Sequence, residues 1–196
     1  MREIIRMIVV LTVISTVCGL VLSGYRRLTA ERIEQQVLMN VQGPRVEVVL
    51  QGADNDLIAD RKKIQINGKD LLVFIGKKKG GPYAVAYETV GKGFGGDIKV
   101  MVGYDLDLNT LTGVQIISHK ETPGVGSRVE GRQFTRRFRG LHVNTDVPPN
   151  QCPEEIDAIS GATYSSLGVC EALRKSLALL PKVKKRLQAF EDGSRS

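Results

Sequence analysis

The chain has 196 residues, 42% hydrophobic and 25% charged, enough for one folded domain with its own core plus an accessory segment. The net charge of +7 admits anionic partners, but aromatics make up only 5% and Trp is absent, which argues against a nucleic-acid surface built on base stacking. The basic residues fall in short clusters, Lys62-Lys63, Lys77 to Lys79, Arg136-Arg137 and Lys182 to Arg186, which read as solvated surface, with membrane headgroups or an acidic partner as the alternative.

Met7 to Tyr25 is a run of nineteen uncharged residues. As a helix it spans roughly 28 Å, close to the hydrocarbon thickness of a bilayer. No Ala-x-Ala cleavage site follows, and Val17 before Cys18 is too large for a lipoprotein signal, so residues 1–27 read as a retained membrane anchor. Basic residues flank both ends and do not settle its orientation. Residues 28–45 read as a stalk or first helix, with Leu28, Ile33, Val37 and Val41 near one face and Gly43-Pro44 as its end.

Residues 46–181 form the expected domain. Strand-like runs are Val46 to Leu50, Lys63 to Ile66, Leu71 to Ile75, Tyr83 to Val90, Ile98 to Tyr104 and Leu111 to Ser118. Turn signals stand at Asn67-Gly68, Gly80-Gly81-Pro82 and Asp107-Leu108-Asn109. Arg132 to Leu141 reads as a helix with Phe134 and Phe138 four apart. Tyr164 to Leu180 is the clearest soluble helix, with an apolar stripe of Leu167, Cys170, Leu173, Leu177 and Leu180 and a stop at Pro181. Residues 182–196 read as a short basic helix and a fraying tail. Consecutive strands with helices at the ends predict an α+β fold: a single N-terminal transmembrane helix, then one domain with a largely antiparallel sheet flanked by helices.

Several patterns bear on chemistry. Gly91-Lys92-Gly93-Phe94-Gly95-Gly96 matches G-x-G-x-x-G, but the segment after it reads as a strand, so a tight turn between strands is expected instead of a dinucleotide site. The same glycines allow close backbone approach. His119 and His142 have no second metal ligand at a suitable spacing, and no nucleophile elbow accompanies any Ser/His/Asp set, so no metal and no catalytic residue is assigned. Cys18 lies in the apolar run; Cys170 reads as a small buried hydrophobe, with a Cys152–Cys170 disulfide as the alternative if the domain lies outside the cytoplasm. Pro123-Gly124 fits the central pair of a type II turn after His119-Lys120-Glu121-Thr122.

The run Asp157-Ala158-Ile159-Ser160-Gly161-Ala162-Thr163-Tyr164-Ser165 opens the clearest helix. A Ser or Thr there is ordinarily an N-cap. The first turn of a helix also offers unsatisfied N–H donors and a partial positive charge, which suit an anion. Gly168, one turn further, costs about 1 kcal/mol relative to Ala and suggests close packing against a ligand or strand.

Asp157-x-x-Ser160-Gly161-Ala162-Thr163-x-Ser165 resembles the flavinylation motif of FMN-binding domains. Glu121-Thr122-Pro123-Gly124-x-Gly126 and Gly95-Gly96-Asp97-Ile98 resemble two further hallmarks of that family, and the anchor plus domain resembles the G subunit of Rnf electron-transport complexes. One departure is Val125, where the family often has Leu. The resemblance implies covalent FMN joined through its phosphate to Thr163 by a flavin transferase that uses FAD. It implies Ser160, Gly161, Ala162, Ser165, Glu121, Thr122 and Gly124 around the flavin, and Asp157 in the attachment motif. It further implies an electron carrier without independent catalytic activity, anchored in the inner membrane with its domain outside the cytoplasm. Its partners would be the membrane and redox subunits of an ion-translocating, ferredoxin- and NAD-linked translocase. An FMN-carrying subunit of another extracytoplasmic reductase, or a cofactor-free binding module, are the alternatives.

Overall fold

Residues 1–40 and 41–196 make two separate units in the computed structural model, which describes residues 2–66, 68–142 and 151–193. In the first unit, helix α1 (Arg2–Val37) carries a 29-residue stretch, Arg2–Ala30, with a mean hydropathy of 2.4 over its apolar window. By length and composition it can cross a membrane. Two of its hydroxyls do not break the pattern: Thr12 donates to the carbonyl of Ile8 and Thr16 to that of Thr12, both at 2.8 Å. They are satisfied within their own helix, as a bilayer requires.

After α1 the chain makes one π-helical turn (Leu38–Gln42) and enters α2 (Gly43–Val49). This corrects two expectations. Gly43-Pro44 does not end the helical segment, because Pro44 lies in the first turn of α2, where its missing N–H is not needed. Val46 to Leu50 is not a strand. A strand would bury alternate residues, whereas Val46, Val49 and Leu50 are buried and Glu47 and Val48 are exposed, a helical spacing. Packing of that stripe outweighs the β preference of three valines.

The sheet is an antiparallel meander in the order β1 (Lys62–Ile66), β2 (Lys69–Lys78), β3 (Gly81–Lys92), β4 (Asp97–Asp105), β5 (Leu111–Ser118). The antiparallel α+β architecture is therefore as expected. Of the turn signals, Asn67 lies outside the described residues. Ala84 to Tyr87 are all buried, which requires cover on both faces of β3. On one face lies the long helix α4 (Thr163–Gly193): Tyr87 donates its hydroxyl to the Ser176 carbonyl at 2.8 Å and Thr89 donates to that of Ala172 at 2.9 Å. On the other lies α2, where Val49 sits against Gly103. Burial pushes the Tyr87 and Tyr104 phenols upward, so both stay neutral in the core, their rings stacked at 5.6 Å.

Two more helices differ from expectation. Arg132 to Leu141 is not one helix but a single α-turn, α3 (Arg132–Thr135), followed by a 3-10 turn (Arg136–Phe138). The buried Phe134 and Phe138 meet edge to face at 5.3 Å, which the tighter turn accommodates. Pro181 does not stop α4, which continues to Gly193. Val183 and Leu187, buried two and six residues beyond it, extend the apolar stripe, and that burial outweighs the cost of the proline. Leu167, expected in the stripe, is only half-buried. The last residues, 194–196, lie outside the described set.

Candidate functional site: a cleft at the start of α4

Three loops meet at one end of the sheet: residues 93–96 between β3 and β4, residues 119–126 after β5, and residues 157–162 before α4. These are the three segments that the sequence singled out. A buried carboxylate joins them. Glu121 is 5% exposed; its Oε1 accepts the Gly95 N–H at 2.9 Å, its Oε2 accepts the Phe94 N–H at 3.3 Å, and Ser165 Oγ of α4 also donates to Oε2. A buried carboxylate without a cation needs several donors, and here the 93–96 loop supplies two and the start of α4 one. The glycine run is thereby explained. A Cβ on Gly93 would come within 2.9 Å of the Glu121 carboxyl carbon, and one on Gly126 within 2.8 Å of Glu121 Cβ. The G-x-G-x-x-G pattern is a turn between strands that wraps a carboxylate.

The second loop is built as its sequence predicts. Val125 N–H donates to the Thr122 carbonyl at 3.2 Å, and Gly124 takes φ +75°, as the third position of a type II turn requires. His119 Nδ1 accepts the Glu121 N–H at 3.1 Å, and its Nε2 lies 3.4 Å from Glu130 Oε2. That pair of contacts places the ring proton on Nε2.

The third loop is held from below. Arg128 Nη1 donates to the Ser160 carbonyl at 3.1 Å and Arg137 Nη1 to that of Asp157 at 3.2 Å. Ser166 Oγ accepts the Ile159 N–H at 3.0 Å and donates to the Ala162 carbonyl at 3.0 Å. Cys152 and Cys170 form a disulfide that ties the segment before this loop to α4, so the simple buried-hydrophobe reading of Cys170 is corrected. Gly161, at φ +78°, turns the chain into the helix.

Helix α4 begins at Thr163, with Ala162 in the capping position. Thr163 is therefore not the cap. Its side chain is exposed and makes no hydrogen bond among the described residues. The N–H groups of Thr163, Tyr164 and Ser165 have no acceptor among the described residues, and the first turn holds no acidic side chain. Three donors and the positive end of a 31-residue helix thus surround an exposed hydroxyl.

Of the residues named from sequence, Glu121, Thr122, Gly161, Ala162, Thr163 and Ser165 line one cleft of about 230 Å³. Gly124, Ser160 and Asp157 lie on the same loops but not in its wall. Sequence reasoning missed Phe94 and Tyr164, which also line it. Both rings are largely exposed, 76% and 70%, with centroids 6.4 Å apart. The available signal was a large aromatic in each of two glycine-rich polar runs. The cleft is open and below the usual size of an enclosing pocket, which suits partial cradling of a ligand anchored at one end.

Residues 93–178, which carry all three loops of the cleft, match the family of FMN-binding domains. The chain is also similar to the G subunits of ion-translocating oxidoreductase complexes. It is 29% identical to the one from Methanosarcina acetivorans, over 90% of this chain and 94% of the relative. It is 27% identical to the G subunit of the Na(+)-translocating ferredoxin:NAD(+) oxidoreductase complex of Acetobacterium woodii, over 94% and 95%. The fold is also that of the C subunit of Na(+)-translocating NADH-quinone reductase from Parabacteroides distasonis, as seen in its crystal structure, with a TM-score of 0.52 and 20% identity over 74% of this chain and 92% of that one.

Proposed function

We propose that the protein is a membrane-anchored flavoprotein electron carrier, one component of an ion-translocating, ferredoxin- and NAD-linked oxidoreductase complex, with FMN held covalently through Thr163. The observation that carries this reading is the exposed Thr163 hydroxyl beside three N–H groups at the start of α4 that have no acceptor among the described residues. A phosphodiester keeps one negative charge, and those donors and the helix end are placed to accept it. Exposure of Thr163 also suits modification by a separate transferase. In that step Thr163 Oγ1 forms a bond to the FMN phosphorus of FAD, the pyrophosphate bond breaks, and AMP leaves as the hydroxyl proton is lost.

When bound, FMN supplies one- and two-electron redox chemistry. The chain's part is to hold it. Gly161 and Ala162 leave room beside the phosphate, Thr122 and Val125 line the same cleft, and Glu121 ties the 93–96 loop and the start of α4 to its own loop. Asp157, exposed at the start of the motif, is positioned to meet the transferase and not the bound flavin. Covalent attachment removes the dissociation equilibrium, an advantage on a membrane face without a free flavin pool. The Cys152–Cys170 disulfide supports an extracytoplasmic domain, because such bonds persist in oxidising compartments.

The test is to express the full chain with a flavin transferase in an exporting host, denature it and measure its mass. The expected result is a gain of FMN minus water on a peptide containing Thr163, lost in Thr163→Ala. Denatured wild-type protein without covalent flavin under those conditions sinks the attachment. Co-purification with integral membrane redox subunits tests the assembly, and activity of an alkaline phosphatase fused after Ser196 tests the sidedness.

A further inference from the structure

A second cavity, of about 390 Å³, lies between the end of α2, the edge strand β5 and the turn 132–139. It shares no lining residue with the Thr163 cleft. Arg132, Arg136 and Arg139 line it, four and three residues apart, and no acidic residue does. Among the described residues none of the three guanidinium groups makes an ion pair or a side-chain hydrogen bond, unlike Arg128 and Arg137 beside them, which hold the Thr163 loop. Three unpaired cations in one wall repel each other, an arrangement that a bound anion relieves.

We propose that this cavity binds a phosphate-bearing anion, with the three guanidinium groups as its donors. Planar guanidinium forks suit phosphate oxygens. A phosphate presents three or more acceptor oxygens and up to two charges, which matches three cations; a single carboxylate offers two oxygens and one charge. The phosphate can come from a soluble compound or from a lipid headgroup, since the domain is tethered to a helix able to cross a bilayer. Neither the FMN site nor its attachment chemistry enters the argument.

The experiment titrates inorganic phosphate into the full chain in an uncharged detergent at fixed ionic strength, by calorimetry. It is repeated with a soluble short-chain phosphatidylglycerol, and with the matching phosphatidylcholine as a zwitterionic control. Saturable one-to-one binding is expected, with Kd of roughly millimolar or tighter. Binding should weaken at least tenfold in the triple variant R132Q/R136Q/R139Q. The variant K185Q/R186Q, which removes the same kind of charge elsewhere, should bind as wild type. Circular dichroism checks that each variant is folded, and R136Q alone serves if the triple variant is not. Displacement of phosphate by phosphatidylglycerol identifies a lipid headgroup, and its failure to compete identifies a soluble ligand; both support the site. Absence of saturable binding by either ligand, equal binding by the arginine variants, or equal loss in K185Q/R186Q overturns it.

Discussion

Gly91 and Gly168 form the closest approach between the sheet and α4, and they give the sharpest test of how the cleft is held. A Cβ on Gly91 would lie 2.8 Å from the Ala172 nitrogen, 2.9 Å from the Gly168 carbonyl carbon, and nearer still to the Gly168 oxygen. All three are backbone atoms of a helix, so no side-chain rotation can relieve the clash. Restoring a normal contact of about 3.5 Å moves α4 away by at least roughly 0.7 Å. That shift takes the Tyr87–Ser176 and Thr89–Ala172 hydrogen bonds, now 2.8 and 2.9 Å, to or beyond the limit of useful geometry. Two such bonds are worth about 1 kcal/mol each, and overpacking adds about 1–3 kcal/mol. Gly91→Ala is therefore expected to destabilise the domain by about 3–5 kcal/mol, or roughly 6 to 20 °C in Tm for a domain of this size. The assay is thermal unfolding of the full chain in detergent, followed by circular dichroism. Gly168→Ala should be milder: its Cβ meets Lys92 O and Gly93 N at 2.8 and 2.9 Å, but Ala also recovers about 1 kcal/mol of helix propensity. Gly81→Ala, with nothing within 4 Å, is the control. A Gly91→Ala protein that melts within about 2 °C of wild type refutes the packing argument.

Thr163→Ala should leave Tm unchanged within about 0.5 kcal/mol, whereas an N-cap threonine would cost about 1 kcal/mol; the same thermal melts without flavin decide between them. Glu121→Gln keeps the shape but places an amide donor among three donors, and is expected to cost about 1–3 kcal/mol, read as a lower denaturation midpoint in urea. Glu171 is held below its ordinary 4.5: partial burial alone would raise it, but the hydrogen bond from Lys175, the Lys92 N–H at 2.7 Å and the nearby cations outweigh that. A lowered carboxylate stabilises the fold above its unfolded value and loses that contribution as pH falls through the folded one, so Glu171→Gln should flatten the stability curve below pH 4.5 and a parallel curve would contradict the assignment. Reducing Cys152–Cys170, whose positions are 18 apart, should cost about 3 kcal/mol, measured as the difference in unfolding free energy with and without dithiothreitol.

What the sequence made legible was set by local signals. Strands β2 to β5 follow from β-branched runs bounded by glycine turns, and each observed strand contains or equals the expected one. The turn at Pro123-Gly124 follows from the one conformation that pair favours, and the Thr163 run from its position before a strong amphipathic helix. The failures lie where tertiary contacts overrule a local rule. Pro181 ordinarily ends a helix, but Val183 and Leu187 find the core only if the helix goes on. Three valines favour a strand at 46–49, but the buried positions there recur at three and four residues, and the period, not the residue type, was the better guide.

Glu121 shows why the site was harder to read than the fold. From sequence it is one of several residues that the resemblance puts around a ligand. In the structure it does line the cleft, yet both oxygens are engaged, by two N–H groups of one loop and a hydroxyl of α4. A carboxylate so held is first of all a fastener. It fixes the distance between the glycine turn and the helix start, and thereby where Phe94 and Tyr164 stand across the mouth of the cleft. Sequence can place an acidic residue near a ligand, but which way its oxygens point depends on donors that arrive from 26 and 44 residues away. The glycines around it carried that information in advance. Close approach of buried side chains is the property that makes Gly93 and Gly126 necessary, and the Glu121 side chain is the neighbour they share. The three motifs are thus one structure, centred on a buried charge, with Thr163 left outside it and open.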